Sequence, residues 1–109
     1  MSKQLVAYIT TWCPDCRRAQ EALAEWGVAA RLIDIRREPE AALRVQKLTG
    51  FESVPTFVVA ADDGFTPVAP PAPLPAGQGP RGIDRGTVIT EPSRAQLREW
   101  LTKHGFLRE

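Results

Sequence analysis

Two cysteines, Cys13 and Cys16, stand three positions apart and are the only cysteines in the chain. A disulfide between residues this close constrains the unfolded chain very little, so it would be a poor structural staple. The pair follows an apolar run of strand length and precedes a helical pattern, which places Cys13 at a helix N-terminus. Unpaired backbone N–H groups and the helix dipole stabilise a thiolate there, and such thiols have a pKa of roughly 3.5–7.5 instead of about 8.5. The spacing therefore predicts a nucleophilic Cys13, with Cys16 one turn further on to attack a mixed disulfide formed at Cys13.

The residues beside the cysteines would adjust the stability of the thiolate. Pro14 suits the first helical turn, where its missing N–H is not needed. Arg17 and Arg18 add positive charge, whereas Asp15 disfavours a second anion and would pair partly with Arg18. We expect Asp15 to make the site more reducing than a neutral residue would, because a less stabilised thiolate makes the reduced form less favoured. Asp15→Tyr should then raise the redox potential.

Two other interpretations of the cysteine pair are less consistent with its position. Buried, inert thiols would not need a strand–helix junction, where a CxxC pair is typical of a redox motif. A zinc site would need four ligands, and the chain has a single, distant histidine, His104. Because His104 lies on an apolar helix stripe near a helix C-terminus, we interpret it as structural and predict no metal site.

The composition predicts an ordinary globular protein. A length of 109 residues indicates one domain, residues 1–109, and 43% hydrophobic with 25% charged residues is a common balance. A net charge of +1 offers no electrostatic basis for binding nucleic acid or an anionic membrane. The N-terminal apolar run is too short for a signal peptide, and no segment approaches the length of a membrane span. We expect a monomeric, cytoplasmic protein.

The apolar periodicity predicts an α/β fold with element order β-α-β-α-β-β-α. Apolar runs predict strands at residues 5–9, 31–35, 54–60 and 86–90, and a helical pattern covers residues 38–49. Two further helices are predicted by apolar stripes at i, i+3, i+4 and i+7, which are Ala19, Ala22, Leu23 and Trp26, and Leu97, Trp100, Leu101 and His104. The first βαβ unit should be a parallel crossover and the last two strands antiparallel, with helices on both faces of a four-stranded mixed sheet.

A proline-rich segment interrupts this pattern between the last two strands. Residues 61–85 contain six of the ten prolines, which are Pro67, Pro70, Pro71, Pro73, Pro75 and Pro80. Such a composition favours polyproline-like, poorly packed chain, and a connection this long is usually functional or disordered. We predict a mobile surface insertion at about 62–85, with a partner-docking segment as the alternative.

Several motifs together resemble a known family. Tyr8, Trp12, Cys13 and Cys16, then Val54-Pro55-Thr56 about forty residues later, resemble the glutaredoxin group of the thioredoxin superfamily, in particular the mycoredoxins and NrdH-like redoxins of bacteria. The segment TVITEPSRAQLREWL, residues 87–101, also resembles the late part of mycoredoxins. The resemblance covers residues 4–60 and 86–104. It implies a thioredoxin-like, glutaredoxin-type fold in which the proline-rich segment is an insertion.

The resemblance also implies roles for individual residues. Cys13 would attack a substrate disulfide and Cys16 would resolve the mixed disulfide. Pro55 would be cis and pack beside Cys13, and the Val54 backbone would pair with the substrate like an added strand. The remaining substrate-binding positions would be Trp12 and Pro14 at the rim and Thr90, Glu91 and Ser93, where glutaredoxins bind the carboxylate of glutathione.

The chain departs from the family pattern in three places. Asp15 stands where glutaredoxins often have Tyr or Gly, and the sequence TEPS at residues 90–93 replaces the usual Gly-Gly-x-Asp/Ser. Thr90 and Ser93 are equally suited to cap the last helix. The third departure is the long insertion, which stands where most relatives have a tight turn.

Three functional hypotheses follow. The first is a dithiol oxidoreductase with no bound cofactor, which reduces protein disulfides or mixed disulfides with a low-molecular-weight thiol. Mycothiol, bacillithiol, glutathione or a flavin reductase would recycle it, and its partners would be disulfide-bearing proteins such as ribonucleotide reductase or a peroxiredoxin. The second is an iron–sulfur cluster carrier, against which Pro14 and the altered glutathione motif argue. The third is a non-catalytic interaction module that binds a partner through the proline-rich insertion.

Overall fold

The computed structural model describes residues 3–61 and 64–108. Their element order is the predicted β-α-β-α-β-β-α. The strands are β1 (Lys3–Ile9), β2 (Arg31–Asp34), β3 (Thr56–Ala61) and β4 (Val88–Thr90). The helices are α1 (Pro14–Glu25), α2 (Pro39–Thr49) and α3 (Arg94–Lys103).

The four strands form one mixed sheet in the order β2-β1-β3-β4. β1 runs parallel to β2 and antiparallel to β3, and β3 runs antiparallel to β4. β1 is therefore an interior strand, and its residues enter the cores on both faces of the sheet, which explains why its sequence is a continuous apolar run instead of an alternating one. The predicted α/β fold with a four-stranded mixed sheet is confirmed.

Helices cover both faces of the sheet, as predicted. Alternate residues of a strand point to opposite faces, so each face collects its own apolar set. On one face, α1 and α3 pack on the sheet through residues such as Leu23 and Trp100, which join a core that includes Phe57. On the other face, α2 packs through Ala41 and Val45.

Two predicted strand starts are wrong by two residues. β3 begins at Thr56, not at Val54, because the segment before it bends and Pro55 has no N–H to donate to a ladder. β4 begins at Val88 because Gly86, with φ +83°, turns the chain in the left-handed region. The Gly86 carbonyl accepts a hydrogen bond from the Trp100 indole at 2.8 Å and lies 2.8 Å from Nε2 of His104. His104 thus has the structural contact predicted for it.

The expectation that the insertion is poorly packed is wrong for both of its ends. Near its start, the Phe65 ring packs against the α2-side core, and the guanidinium groups of Arg31 and Arg44 lie 4.4 and 4.0 Å from its centroid. Near its end, the N–H of Gly82 donates to the carbonyl of Thr90 at 2.7 Å. Residues 70–79 between these anchors are mostly exposed. Composition did not reveal the anchors because both depend on how the fold places the insertion against α2 and β4.

Arg85 joins the insertion to the body of the fold from a buried position. Its Nε donates to the carbonyl of Ala72 at 2.7 Å, and a second guanidinium nitrogen donates to the carbonyl of Leu48 at the end of α2. Burial lowers the pKa of the Arg85 guanidinium. The side chain therefore satisfies two backbone carbonyls in one place, and hydrogen bonds from a charged donor are the stronger kind.

We expect Arg85→Met to lower the free energy of unfolding by about 2–3 kcal/mol, since it removes charge-assisted hydrogen bonds to two carbonyls. Urea denaturation would measure the change. Arg98→Met, at an exposed position of α3, removes the same charge and should change stability by less than about 0.5 kcal/mol. Equal effects of the two variants would show that Arg85 does not anchor the insertion.

Two features of the described ranges bear on function. No helix there combines the length and the apolar character needed to cross a bilayer. No three His, Cys, Asp or Glu side chains gather there as candidate metal ligands.

Candidate active site

Cys13 lies at the junction between β1 and α1. It is the N-cap of α1, with extended backbone angles of φ −81° and ψ 119°, and Pro14 follows in the first turn. Its Sγ accepts a hydrogen bond from the N–H of Cys16 at 3.2 Å. The sulfur atom therefore lies against a free amide at the positive end of the helix, as the CxxC pattern predicts.

Cys16 is far less exposed than Cys13. Both thiols are free, and Cys13 is half-buried whereas only 1% of Cys16 is exposed. Burial, together with the hydrogen bond to Cys13, raises the pKa of Cys16 to about 12. Cys16 is therefore a neutral thiol at physiological pH, and external reagents reach the pair only through Cys13.

The segment before β3 lies beside Cys13. The Val54–Pro55 peptide bond is cis, as the family resemblance implies, and Sγ of Cys13 is 3.9 Å from the Val54 carbonyl oxygen. The N–H of Glu91 donates to the Pro55 carbonyl at 2.8 Å, which joins this segment to the junction between β4 and α3. The structure thus brings the carbonyl of the predicted Val54 to the Cys13 sulfur, with Pro55 next in the chain.

Trp12 provides an exposed aromatic surface next to Cys13. Its side chain is 65% exposed, and the guanidinium of Arg36 lies 5.4 Å from its ring centroid. An arginine over an indole face is a cation–π contact. Arg36 was not predicted, because it follows β2 and nothing in its local sequence connects it with the cysteines.

Thr90 and Ser93 both have structural partners. The Thr90 hydroxyl is buried and lies 3.0 Å from the Thr56 hydroxyl across the β3–β4 pair. Ser93 is the N-cap of α3 and forms a capping box with Gln96, with hydrogen bonds of 3.1 and 2.9 Å. The capping alternative is confirmed for Ser93. A ligand-binding role for either residue stays a prediction.

Asp15 has two arginine partners, one of them predicted. It pairs with Arg18 within α1, as the i, i+3 spacing predicts. Its second partner is Arg81 of the insertion, 3.8 Å away, which also pairs with Glu91. Arg17 is exposed on the same helix. The Arg81 contact joins segments far apart in the chain and has no sequence signature.

Glu91 has an unusual backbone. Its φ is +47°, in the left-handed region that favours glycine, so a glutamate there is strained. Its N–H bond to the Pro55 carbonyl and its ion pair with Arg81 hold it in place. These two contacts hold the glutamate of TEPS in a backbone conformation that favours glycine, the residue that the resemblance leads us to expect in this segment.

A groove of about 700 Å³ runs between the first turns of α1 and α3. Both carboxylates and guanidinium groups line it, and the charged lining residues are Asp15, Arg18, Glu21, Arg81, Glu91 and Arg94. The groove thus extends from Asp15 to the β4–α3 junction, and its lining carries both positive and negative charges.

Comparison with known proteins places this site in a family. Residues 5–63, which include both cysteines and Val54-Pro55, match the family model for glutaredoxin over 59 of the 109 residues. The chain belongs to the glutaredoxin family. No curated protein sequence matches this glutaredoxin. Its resemblance to the mycoredoxin and NrdH-like branch stays a prediction.

Solved structures agree on the fold of this glutaredoxin. Thioredoxin O2 from Arabidopsis thaliana in its oxidized state aligns with a TM-score of 0.53 and 14% identity, over 95% of this chain and 75% of that one. Glutathione transferase Omega 2S from Trametes versicolor aligns with a TM-score of 0.51 and 26% identity, over 95% of this chain. The glutaredoxin spans only 37% of the transferase chain, so that likeness concerns one part of the larger protein.

Proposed function

We propose that this glutaredoxin is a dithiol thiol–disulfide oxidoreductase that reduces protein disulfides or mixed disulfides between a protein and a low-molecular-weight thiol. The asymmetry of the two thiols carries the proposal. Cys13 is accessible at a helix N-cap, whereas Cys16 is buried one turn behind it with a pKa of about 12. A pair with one reachable sulfur and one protected sulfur suits sequential attack and resolution.

The reaction takes place in two exchange steps. The Cys13 thiolate attacks one sulfur of the substrate disulfide, forms a mixed disulfide and releases the other substrate sulfur as a thiolate. Cys16 then gives up its proton and attacks the Cys13 sulfur, which releases the second substrate sulfur. The products are a Cys13–Cys16 disulfide and two substrate thiols. The protein supplies two electrons and the Cys16 proton, and the second proton comes from the solvent, which took up the proton that Cys13 lost when it became a thiolate. An external thiol or a flavin reductase returns the protein to its dithiol form.

Substrate docking would use the surface around Cys13. Trp12 offers exposed apolar area beside the nucleophile, with Pro14 on its other side in the sequence. The Val54 backbone, close to Sγ of Cys13, is positioned to pair with an extended substrate segment. A protein substrate would thus be held by main-chain hydrogen bonds and aromatic contact near the reacting sulfur atoms.

The test is a stoichiometric reaction with a disulfide-bonded protein such as insulin. We expect the reduced glutaredoxin to lose two hydrogens by mass while one insulin disulfide opens. Peptide mapping should locate the new disulfide at Cys13–Cys16. The same assay on folded protein alkylated beforehand at Cys13 is the control. An unchanged glutaredoxin mass after prolonged incubation with insulin would contradict the proposal.

A further inference from the structure

We propose that Arg81 of the proline-rich insertion is a positioning residue that adjusts the redox equilibrium of the Cys13–Cys16 pair through Asp15. The inference rests on the proposed function and adds a role for the insertion. Asp15 lies between the two cysteines in the sequence, and Arg81 reaches it from the opposite side of the groove.

The fold holds the backbone of Arg81 in place. Residue 81 forms a parallel bridge with Thr90, and the preceding Pro80 is buried. The N–H of Gly82 donates to the Thr90 carbonyl at 2.7 Å, and the Gly82 carbonyl accepts from the Gln96 side chain at 3.0 Å. The backbone next to Arg81 is therefore hydrogen-bonded to the end of β4 and to α3, which fixes the point from which the guanidinium extends.

The side chain of Arg81 lies between two carboxylates. Its guanidinium is 3.8 Å from Asp15 and 2.5 Å from Glu91, and the Glu91 contact aims it toward the groove. Arg18 pairs with the other oxygen of Asp15. Asp15 is thus flanked by two positive charges, one from α1 and one from the insertion.

This arrangement controls how strongly Asp15 opposes a thiolate at the start of α1. A carboxylate disfavours a nearby anion, and a guanidinium on that carboxylate offsets the effect. Without Arg81, Asp15 would destabilise the thiolate more, and the reduced form of the pair would become less favoured. The insertion therefore makes the site less reducing than it would be without this contact.

The experiment measures the equilibrium between dithiol and disulfide in glutathione redox buffers, with the oxidised fraction read by mass. We expect Arg81→Gln to shift the equilibrium toward the disulfide by roughly two- to five-fold, the range of an exposed ion pair. Arg81→Lys, which keeps the positive charge, should leave the equilibrium between dithiol and disulfide close to that of the original protein. Because Arg81 is largely exposed, these changes leave the fold intact.

The control is Arg98→Met, which removes one positive charge from the exposed side of α3 and should leave the equilibrium unchanged. The decisive comparison is Asp15→Asn in two backgrounds. Asp15→Asn should shift the equilibrium toward the dithiol, and by roughly two- to five-fold more in the Arg81→Gln protein than in the original one. Independent effects of the two substitutions would overturn the proposal, because Arg81 would then not act through Asp15.

The same titration separates failure of this inference from failure of the proposed function. If no Cys13–Cys16 disulfide forms in any buffer, the oxidoreductase proposal itself is wrong. If the disulfide forms but Arg81→Gln behaves like Arg98→Met, only the role of Arg81 is wrong.

Discussion

Replacing Cys13 by serine should abolish disulfide reduction, lowering the rate by at least about three orders of magnitude. Cys13 is the accessible sulfur of the pair, and a serine hydroxyl is not ionised at neutral pH and cannot form the mixed disulfide. The insulin reduction assay would measure the loss.

The fold of the Cys13→Ser protein should be unharmed, which makes the result interpretable. Serine is a preferred N-cap residue, so it can accept the N–H bond that Sγ of Cys13 accepts from Cys16. Urea denaturation should show a change of less than about 1 kcal/mol. Reduction that continued at more than a tenth of the original rate would show that Cys13 is not the nucleophile.

Replacing Cys16 by serine should trap the reaction half-way. The first exchange would still occur at Cys13, but no thiol would lie one turn behind it to release the substrate. We expect a covalent one-to-one adduct with insulin to accumulate. Without an added small thiol, the rate at which the variant reduces insulin should fall by roughly a hundredfold. A non-reducing gel and intact mass would detect the adduct.

The adduct has its own control in the double variant. Cys13→Ser combined with Cys16→Ser should form no adduct, and Cys13→Ser alone should form almost none because Cys16 is buried. An adduct of equal yield through Cys16 in the Cys13→Ser protein would contradict the assignment of attacking and resolving sulfurs.

Local patterns in the sequence predicted the framework that positions this site. The apolar run before Thr10 and the helical stripe through Leu23 placed the cysteines at a strand–helix junction, and the structure has Cys13 at the N-cap. These features depend on residues close together in the chain, where periodicity and capping preferences apply directly. The Asp15–Arg18 pair was predictable for the same reason.

Contacts between distant segments were not predictable in this way. Arg81 meets Asp15, and Arg36 meets Trp12, only because the sheet and the insertion bring separate segments together. The insertion was expected to be loosely packed because its composition resembles disordered chain. Phe65 and Arg85, two of the residues that anchor it, have partners elsewhere in the fold.

The two thiols should have different chemical roles, and alkylation of the reduced, folded protein as a function of pH tests this difference most directly. Iodoacetamide modification would be quantified by mass at each cysteine separately. We expect Cys13 to react at neutral pH. Cys16 should stay unmodified until strongly alkaline pH, because burial raises the pKa of Cys16 to about 12 and the thiol is protonated below that value. Equal reaction of both cysteines over the whole pH range would contradict the account and would favour a non-catalytic role for the chain.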